Sequence, residues 1–509
     1  MSSGGMDFHS LGRVVDHREF DDVSRRIAAG FAELGVGDGD AVGLLMVNEI
    51  ETLICAEALA YLGAFTVPLS WHSTPAELAY VQQDSSLSAL VAHDALAQTA
   101  VAGTTSDLPL VIVDLPEPTA AAMSMSPSVI GERGSVYRWS EMVASATPWS
   151  GPRRAPRPAV VYTSGTTGKP KGVVRGQHSD DEARARQAAS VGSVWGSEDG
   201  MRTLLVAPLY HSAPTAYIRS AMGAARTGGE IHFLPKFDAE TALAMISEHR
   251  ITHMWMVPTM FIKLLALPDE VRAKYDVSSI RNIVHSGAPC PIGVKLRMIE
   301  WFGPVINEFY GSTETGPVTY AGAEDYLAHP GTAGRVLDLC RIEIVDADGN
   351  ILPRGEIGEI AAANTTYPDF TYRNRDSERN DLDVAGLIRS GDIGLIDADG
   401  FLFLKDRKKD MVISGGVNLY PAEVEDVLLQ LDNVRDGAVF GLPDEVFGER
   451  LVAAVSLHHP ESDVADRLKE QLREQLSSTK VPREIFVIDD FPRSEAGKVA
   501  KHKLRALVG

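Results

Sequence analysis

Apolar residues recur at helical spacing from Arg25 to Leu34 and stop at Gly35. A short apolar run of strand length, Ala41 to Val47, follows. A second helical pattern, Glu51 to Leu62, stops at Gly63 before the strand-like AFTVPL. Helix and strand patterns that alternate in this way predict crossover units and largely parallel sheets. After about residue 330 the pattern changes. Arg341 to Val345 and Glu356 to Ala361 read as strands around the turn signal Asp346-Ala347-Asp348-Gly349-Asn350. The same DADG recurs at 397–400 between the apolar runs 393–396 and 401–404. Strand, turn and strand in close succession predict antiparallel hairpins. A smaller unit starts near the charge run KDRKKD at 405–410. Its first helix begins at Pro421, a residue suited to a first helical position, and carries the stripe Val424, Val427, Leu428 and Leu431. Val464, Leu468, Leu472 and Leu476 mark another. The expected fold is therefore α/β: a large N-terminal domain of layered α/β subdomains plus a β-rich subdomain, and a small α+β C-terminal domain.

Composition narrows the function classes. The chain has 509 residues, 44% hydrophobic and 23% charged. That is an ordinary globular composition, long enough for about three domains at roughly 150 residues each. The balance of 48 basic against 69 acidic residues leaves a net charge of −21. Whole-protein attraction to nucleic acid or anionic lipid is opposed by that sign. The longest mostly apolar region, Leu53 to Leu69, is interrupted by Glu57, Gly63 and Pro68, and reads as a helix running into a strand, not a membrane span. Cys55, Cys290 and Cys340 fit neither a disulfide framework nor a zinc spacing. Neither end carries a targeting signal, so a cytoplasmic location is expected.

The most informative stretch is YTSGTTGKPKGV, Tyr162 to Val173. An apolar strand feeds a run of glycine and hydroxyl residues, where backbone amides can approach phosphate oxygens closely. It is not a Walker loop: Gly165 and Gly168 are too close, and Pro170 follows Lys169 where Ser or Thr is required. This stretch resembles the signature loop of the acyl-adenylate-forming, AMP-binding superfamily, which contains acyl-CoA synthetases, beetle luciferases and peptide-synthetase adenylation domains. The resemblance covers about residues 20 to 505 and is closest in style to bacterial acyl-CoA ligases. It implies that Thr163, Ser164, Gly165, Thr166, Thr167, Gly168 and Lys171 bind ATP. Many members have a Thr-His pair soon after the loop; here His178 comes one place later.

Further motifs follow in the family's order. In EFYGSTET the resemblance implies that Tyr310 stacks on adenine beside Gly311. Thr313 would contact phosphate and Glu314 help to hold Mg²⁺, a hard cation that takes oxygen ligands. In SGDIG it assigns Asp392 to the ribose hydroxyls, with Arg407 as the second ribose contact. Lys409 falls at the family's hinge, where many CoA ligases carry Asp. The domains implied are thus 1–408, binding AMP, and 409–509, mobile. Gly415 and Gly416 resemble the turn lining the pantetheine tunnel. Lys498 in PRSEAGKVAKHKL matches the catalytic lysine, whereas Lys501 and Lys503 read as solvated charges.

The acyl pocket is less legible. His211 in PLYHSAP stands where many members have a gate beside the substrate carboxylate. Gly287 and Ala288 in HSGAPCP are expected along the adenine and acyl site. Trp255 and Tyr217 read equally well as acyl-pocket lining or core. The activity implied is AMP-forming activation of a carboxylic acid, with transfer to CoA, using ATP, Mg²⁺ and CoA. Three other readings stay open. One is a free-standing carrier-protein ligase, one a nitrite-activating diazotase acting on an aryl amine, and one a nucleotide-binding homologue without turnover. A carrier protein and a second copy of the chain stay open as partners.

Overall fold

A computed structural model describes residues 5–128, 134–163, 170–414, 417–493 and 499–508. The chain divides into two compact units. One is Met1–Met256 with Leu267–Val284 and Thr365–Asp381; the other is Val257–Ala266 with His285–Asn364 and Leu382–Gly509.

The first unit is built from crossover connections, as the alternating pattern predicts. One sheet takes the order Phe65–Leu69, Ala41–Leu45, Leu87–His93, Leu110–Val113, Val136–Arg138, with every neighbouring pair parallel. The helix Ile50–Leu62 is buried on nearly every side, which explains its almost unbroken apolar sequence. It ends where Gly63 turns left-handed at φ 70°. The helix expected at 25–34 spans His17–Glu33, because the Asp16 carboxylate accepts the amides of Arg18 and Glu19 and so fixes an earlier start. A second set of strands runs His253–Met256, Arg202–Leu205, Glu230–Phe233, Asp7–Ser10, Arg13–Val15; only the last pairing, a tight hairpin, is antiparallel. A small antiparallel sheet joins Phe370–Tyr372, Lys171–Arg175 and Val161–Thr163.

The second unit carries the hairpins. Its strands lie in the order Cys340–Val345, Gly358–Asn364, Leu387–Ile396, Phe401–Arg407, Gly334–Val336, Gly316–Ala321, Ile306–Ser312, each pair antiparallel. The DADG at 397–400 is the turn of a tight hairpin. At 346–350 the turn closes on a single antiparallel bridge between Val345 and Ile351, while the main ladder of Cys340–Val345 is with Gly358–Asn364. The C-terminal residues have cores of their own. Val412, Val424, Leu428, Leu451, Leu468 and Leu472 form one cluster; Phe440, Leu442, Val452 and Leu504 form another. Helices Pro421–Leu428 and Val464–Gln475 start at the residues that the sequence marks. Among the described residues no helix is long and apolar enough to cross a membrane.

Candidate active site

The EFYGSTET residues end one strand and open the next. Strand Ile306–Ser312 pairs with Gly316–Ala321, and the register shifts between Tyr310 and Gly311. A side chain on Gly311 would meet the carbonyl oxygen of Gly316 at 2.1 Å, so only glycine permits this crossing. The connecting turn is held by its own hydroxyls. Ser312 Oγ accepts from the amides of Glu314 and Thr315 at 3.2 and 3.1 Å, and the Ser312 amide donates to Thr315 Oγ1 at 3.2 Å. Thr315 is buried by this arrangement, while Thr313 and Glu314 sit half-buried on the turn.

Asp392 lies 82 residues further along the chain and meets this strand directly. The Tyr310 phenol donates to Asp392 Oδ2 at 2.7 Å. Burial, then the Asp392 charge, pushes that phenol well above its ordinary pKa, so it remains a donor. Asp392 and Arg407 are cross-strand partners, with Arg407 Nε 3.8 Å from Asp392 Oδ1. The Ser390 hydroxyl accepts from the Asp392 amide at 3.1 Å and donates to the Ile360 carbonyl at 3.0 Å, fixing the backbone before the carboxylate. Three residues taken from separate motifs are therefore one connected group. Gly287 follows strand Asn282–His285 with φ +86°, a left-handed conformation that needs glycine, and Ala288 beside it is half-buried.

Beneath Tyr310 lies an ion pair that the sequence reading missed. Lys295 Nζ, fully buried, donates to Glu308 Oε2 at 2.6 Å and sits 3.7 Å from the centre of the Tyr326 ring. His285 Nε2 is 3.5 Å from the same carboxylate oxygen. Burial pushes Glu308 up and His285 well down, so the histidine is neutral. Burial also raises the neighbouring Cys290 thiol, which removes its reactivity at neutral pH.

The remaining assignments separate by position. Thr163 pairs with Lys171 in a two-stranded ladder at the ends of the Gly-rich loop. The Lys171 ammonium makes an ion pair with Glu378 and lies 5.0 Å from the centre of the Tyr372 ring. His211 precedes helix Ser212–Ala224, its ring 4.6 Å from that of Tyr210. Trp255 and Tyr217 are both buried. The Tyr217 hydroxyl is 2.5 Å from Thr203 Oγ1, and its ring packs on Trp195. Lys501 departs from expectation: it is half-buried and donates to Glu425 at 2.9 Å, instead of being a solvated charge. Although burial works against its charge, Glu425 and Asp406 together raise its pKa. Ser164, Gly165, Thr166, Thr167, Gly168, Gly415, Gly416 and Lys498 lie outside the described residues.

Known proteins resemble this chain along nearly its whole length. The chain matches the AMP-binding enzyme family over residues 7–366 and the AMP-binding enzyme C-terminal domain over residues 423–498. The chain belongs to the AMP-binding enzyme family. A long-chain-fatty-acid–CoA ligase of Mycobacterium tuberculosis is 30% identical over 96% of this chain and 92% of its own length. An indoleacetate–CoA ligase of Aromatoleum aromaticum is 30% identical over 97% of this chain and 94% of its own. Among solved structures, ATP-bound MatB from Rhodopseudomonas palustris superposes with a TM-score of 0.83 at 26% identity, covering 100% of this chain and 96% of MatB. A benzoate CoA ligase from Burkholderia xenovorans shares the fold, with a TM-score of 0.83 at 23% identity, over 99% and 96% of the two chains. The mixed α/β architecture with a small C-terminal domain is thus that of this AMP-binding family.

Proposed function

We propose that the protein is an AMP-forming acid–thiol ligase that activates a carboxylic acid as its acyl-adenylate and transfers the acyl group to CoA. The observation that carries this reading is the Tyr310–Asp392 hydrogen bond beside the Thr313–Glu314 turn. It sets an aromatic ring, a ribose-type acceptor and hard oxygen donors on adjoining backbone. Glu314 and the Thr313 hydroxyl are the kind of donors Mg²⁺ takes, and that ion would supply charge neutralisation for the triphosphate.

In the first half-reaction a carboxylate oxygen of the substrate attacks the α-phosphorus of ATP. The bond from that phosphorus to the bridging oxygen breaks, and pyrophosphate leaves. Both reactants are anions, so charge compensation and in-line positioning supply most of the acceleration. Tyr310 and Gly311, with Gly287 and Ala288, would seat the adenine. Asp392 and Arg407 hold the ribose, Thr163 to Lys171 the phosphates, and Lys498 stabilises charge developing at the α-phosphoryl group. His211 would stand beside the acid. In the second half-reaction the CoA sulfur attacks the acyl carbonyl and AMP leaves, with Gly415 and Gly416 along the pantetheine path. The C-terminal residues from 409 onward would move between the two steps.

The test is pyrophosphate release across fatty and aryl acids, with and without CoA. An acid that drives release only in the presence of ATP, and yields a thioester when CoA is added, supports the reading. Pyrophosphate release with no thioester for any acid would overturn the CoA assignment. Lys498→Ala is expected to lower adenylation by roughly 10²–10³-fold. The same variant should retain thioester formation from supplied acyl-adenylate.

A further inference from the structure

One cluster of donor side chains in the first unit has no place in that chemistry. Strands Asp7–Ser10 and Glu230–Phe233 pair in parallel, with Asp7 opposite Glu230 and His9 opposite His232. Side chains alternate along a strand, so Asp7, His9, Glu230 and His232 share one face. The His9 and His232 rings stack at 4.4 Å with 12° between their planes. His249, the last residue of helix Ala239–His249, stacks on His232 at 4.4 Å. The His232 Nε2 and Glu230 Oε2 atoms are 2.8 Å apart. One donor atom each from His9, Glu230 and His232 lies within 4.8 Å of the others. His232 is 2% exposed, while His9 and Glu230 are half-buried. A cavity of about 460 Å³, lined in part by Asp7, His17, Arg202 and Glu230, gives solvent a way to the carboxylate.

A single Glu–His hydrogen bond satisfies two polar groups and needs nothing more. Here two strands far apart in sequence bring two imidazoles to one carboxylate, and His249 stacks on the outer face of that group through His232. We propose that His9, Glu230 and His232 form a binding site for a divalent transition-metal cation of the Zn²⁺ type. Two imidazole nitrogens and one carboxylate oxygen are a set that Zn²⁺ accepts, with a fourth position left for water. Bonds of about 2.0–2.1 Å to nitrogen in a tetrahedron place donors ~3.4 Å apart, so binding draws the three side chains together by rotation. On binding through Nε2, the neutral His232 ring carries its proton on Nδ1 instead, with no net proton lost, and the Glu230 oxygen exchanges its hydrogen bond for the metal. The ion would fasten the N-terminal strand to a partner more than 200 residues away. Because it binds the folded chain, it should raise the melting temperature.

The experiment titrates Zn²⁺ into the metal-free full chain by calorimetry. His9→Gln, Glu230→Gln and the exposed control His459→Gln are titrated alongside. Expected are one Zn²⁺ per chain in wild type and in the control, a matching rise in melting temperature, and Kd weakened at least ~10-fold in whichever cluster variants keep the native circular dichroism. Mg²⁺ should produce no such rise, since it prefers oxygen ligands. Absence of binding in wild type, or binding undiminished in both cluster variants, overturns the proposal. Co²⁺ in wild type gives a readout independent of any variant. Intense visible bands of a four-coordinate ion support the site, and the weak bands of a six-coordinate, water-like ion overturn it. None of these readouts involves catalysis, so failure here leaves the ligase reading untouched, and the converse holds.

Discussion

At the scale of single residues, Asp392 joins two motifs that the sequence presents separately. SGDIG is legible only through its place in the family's order of motifs, because a lone Asp before a strand otherwise reads as a turn residue. The bond between Tyr310 and Asp392 is not legible even so, since no local pattern says which acceptor a phenol 82 positions away will find. The proposed roles make an ordering testable. Asp392→Ala removes a charged acceptor from the ribose and leaves the phenol without its partner. Losing a charge-assisted bond costs about 1.5–3 kcal/mol, so ATP affinity should fall ~10–100-fold by calorimetry. Tyr310→Phe keeps the ring and loses only the bond that orients the carboxylate. That bond does not itself touch ATP, so its loss reaches ATP affinity only through the carboxylate's orientation and should weaken binding less, about 2- to 10-fold. Arg407→Gln should weigh less still, because its guanidinium is 43% exposed and 3.8 Å from the carboxylate, where solvent screens the pair. Unchanged ATP affinity in a folded Asp392→Ala would remove Asp392 from the site.

Between elements, the buried Lys295–Glu308 pair fastens helix Ile292–Phe302 to strand Ile306–Ser312 two positions before Tyr310. Removing one partner of such a pair strands the other charge. Lys295→Met should therefore cost about 3–5 kcal/mol, read as a lowered melting temperature. Adding Glu308→Gln should recover part of the loss, because the stranded charge is gone; no recovery would show that packing on Tyr326, not the ion pair, is what Lys295 supplies. Helix Pro421–Leu428 gives a pH signature. Burial, reinforced by Glu425, lifts the Asp426 carboxyl from 3.8 to about 7. The folded chain thus holds a proton that the unfolded chain releases. Stability should fall as pH rises from about 4 and level off above about 7. Asp426→Asn cannot ionise, so its melting temperature should decline less than wild type between about pH 5 and about pH 8; parallel curves would count against a strained carboxylate. Such features explain what the sequence concealed. Periodicity marked the helix beginning at Pro421, where burial follows a stripe, while helix Ile50–Leu62 was legible from an apolar run that stops at Gly63. A lysine in a helix reads as solvated, and only the tertiary partner reveals Lys295 and Lys501 as paired. His9 and His232 were equally hidden, since one histidine on each of two distant strands forms no local motif.

For the whole molecule, the proposed two-step reaction requires the C-terminal residues to take two positions about Lys409. Lys409 is exposed in the turn after strand Phe401–Arg407, where the amides of Asp410 and Met411 donate to the Arg407 carbonyl at 2.9 and 3.1 Å. Just before it, Asp406 Oδ2 accepts from the Ala422 amide at 2.9 Å, a contact that holds helix Pro421–Leu428 against the strand. Lys501 adds its charge near Asp406 and pairs with Glu425, so the same place is tied down from the last helix. A swing about Lys409 has to release Asp406 from Ala422 and change φ/ψ at a residue with no such ties in its side chain's exposed surroundings. Hinges absorb motion in a few backbone angles, and proline removes that freedom by fixing φ near −65°. Lys409→Pro should therefore hold one orientation, the one in which Lys498 serves adenylation. Rapid-quench measurement should show about one equivalent of pyrophosphate per enzyme in a burst, followed by a stall with adenylate bound. Wild type should continue to turn over when CoA is present. Because proline can also disturb the turn, the variant's melting temperature is measured alongside, and Lys409→Ala, which keeps the backbone free, should turn over as wild type does. Steady turnover by a stable Lys409→Pro would place the pivot elsewhere, and a stall shared by Lys409→Ala would trace the defect to the lysine side chain instead of to backbone rotation.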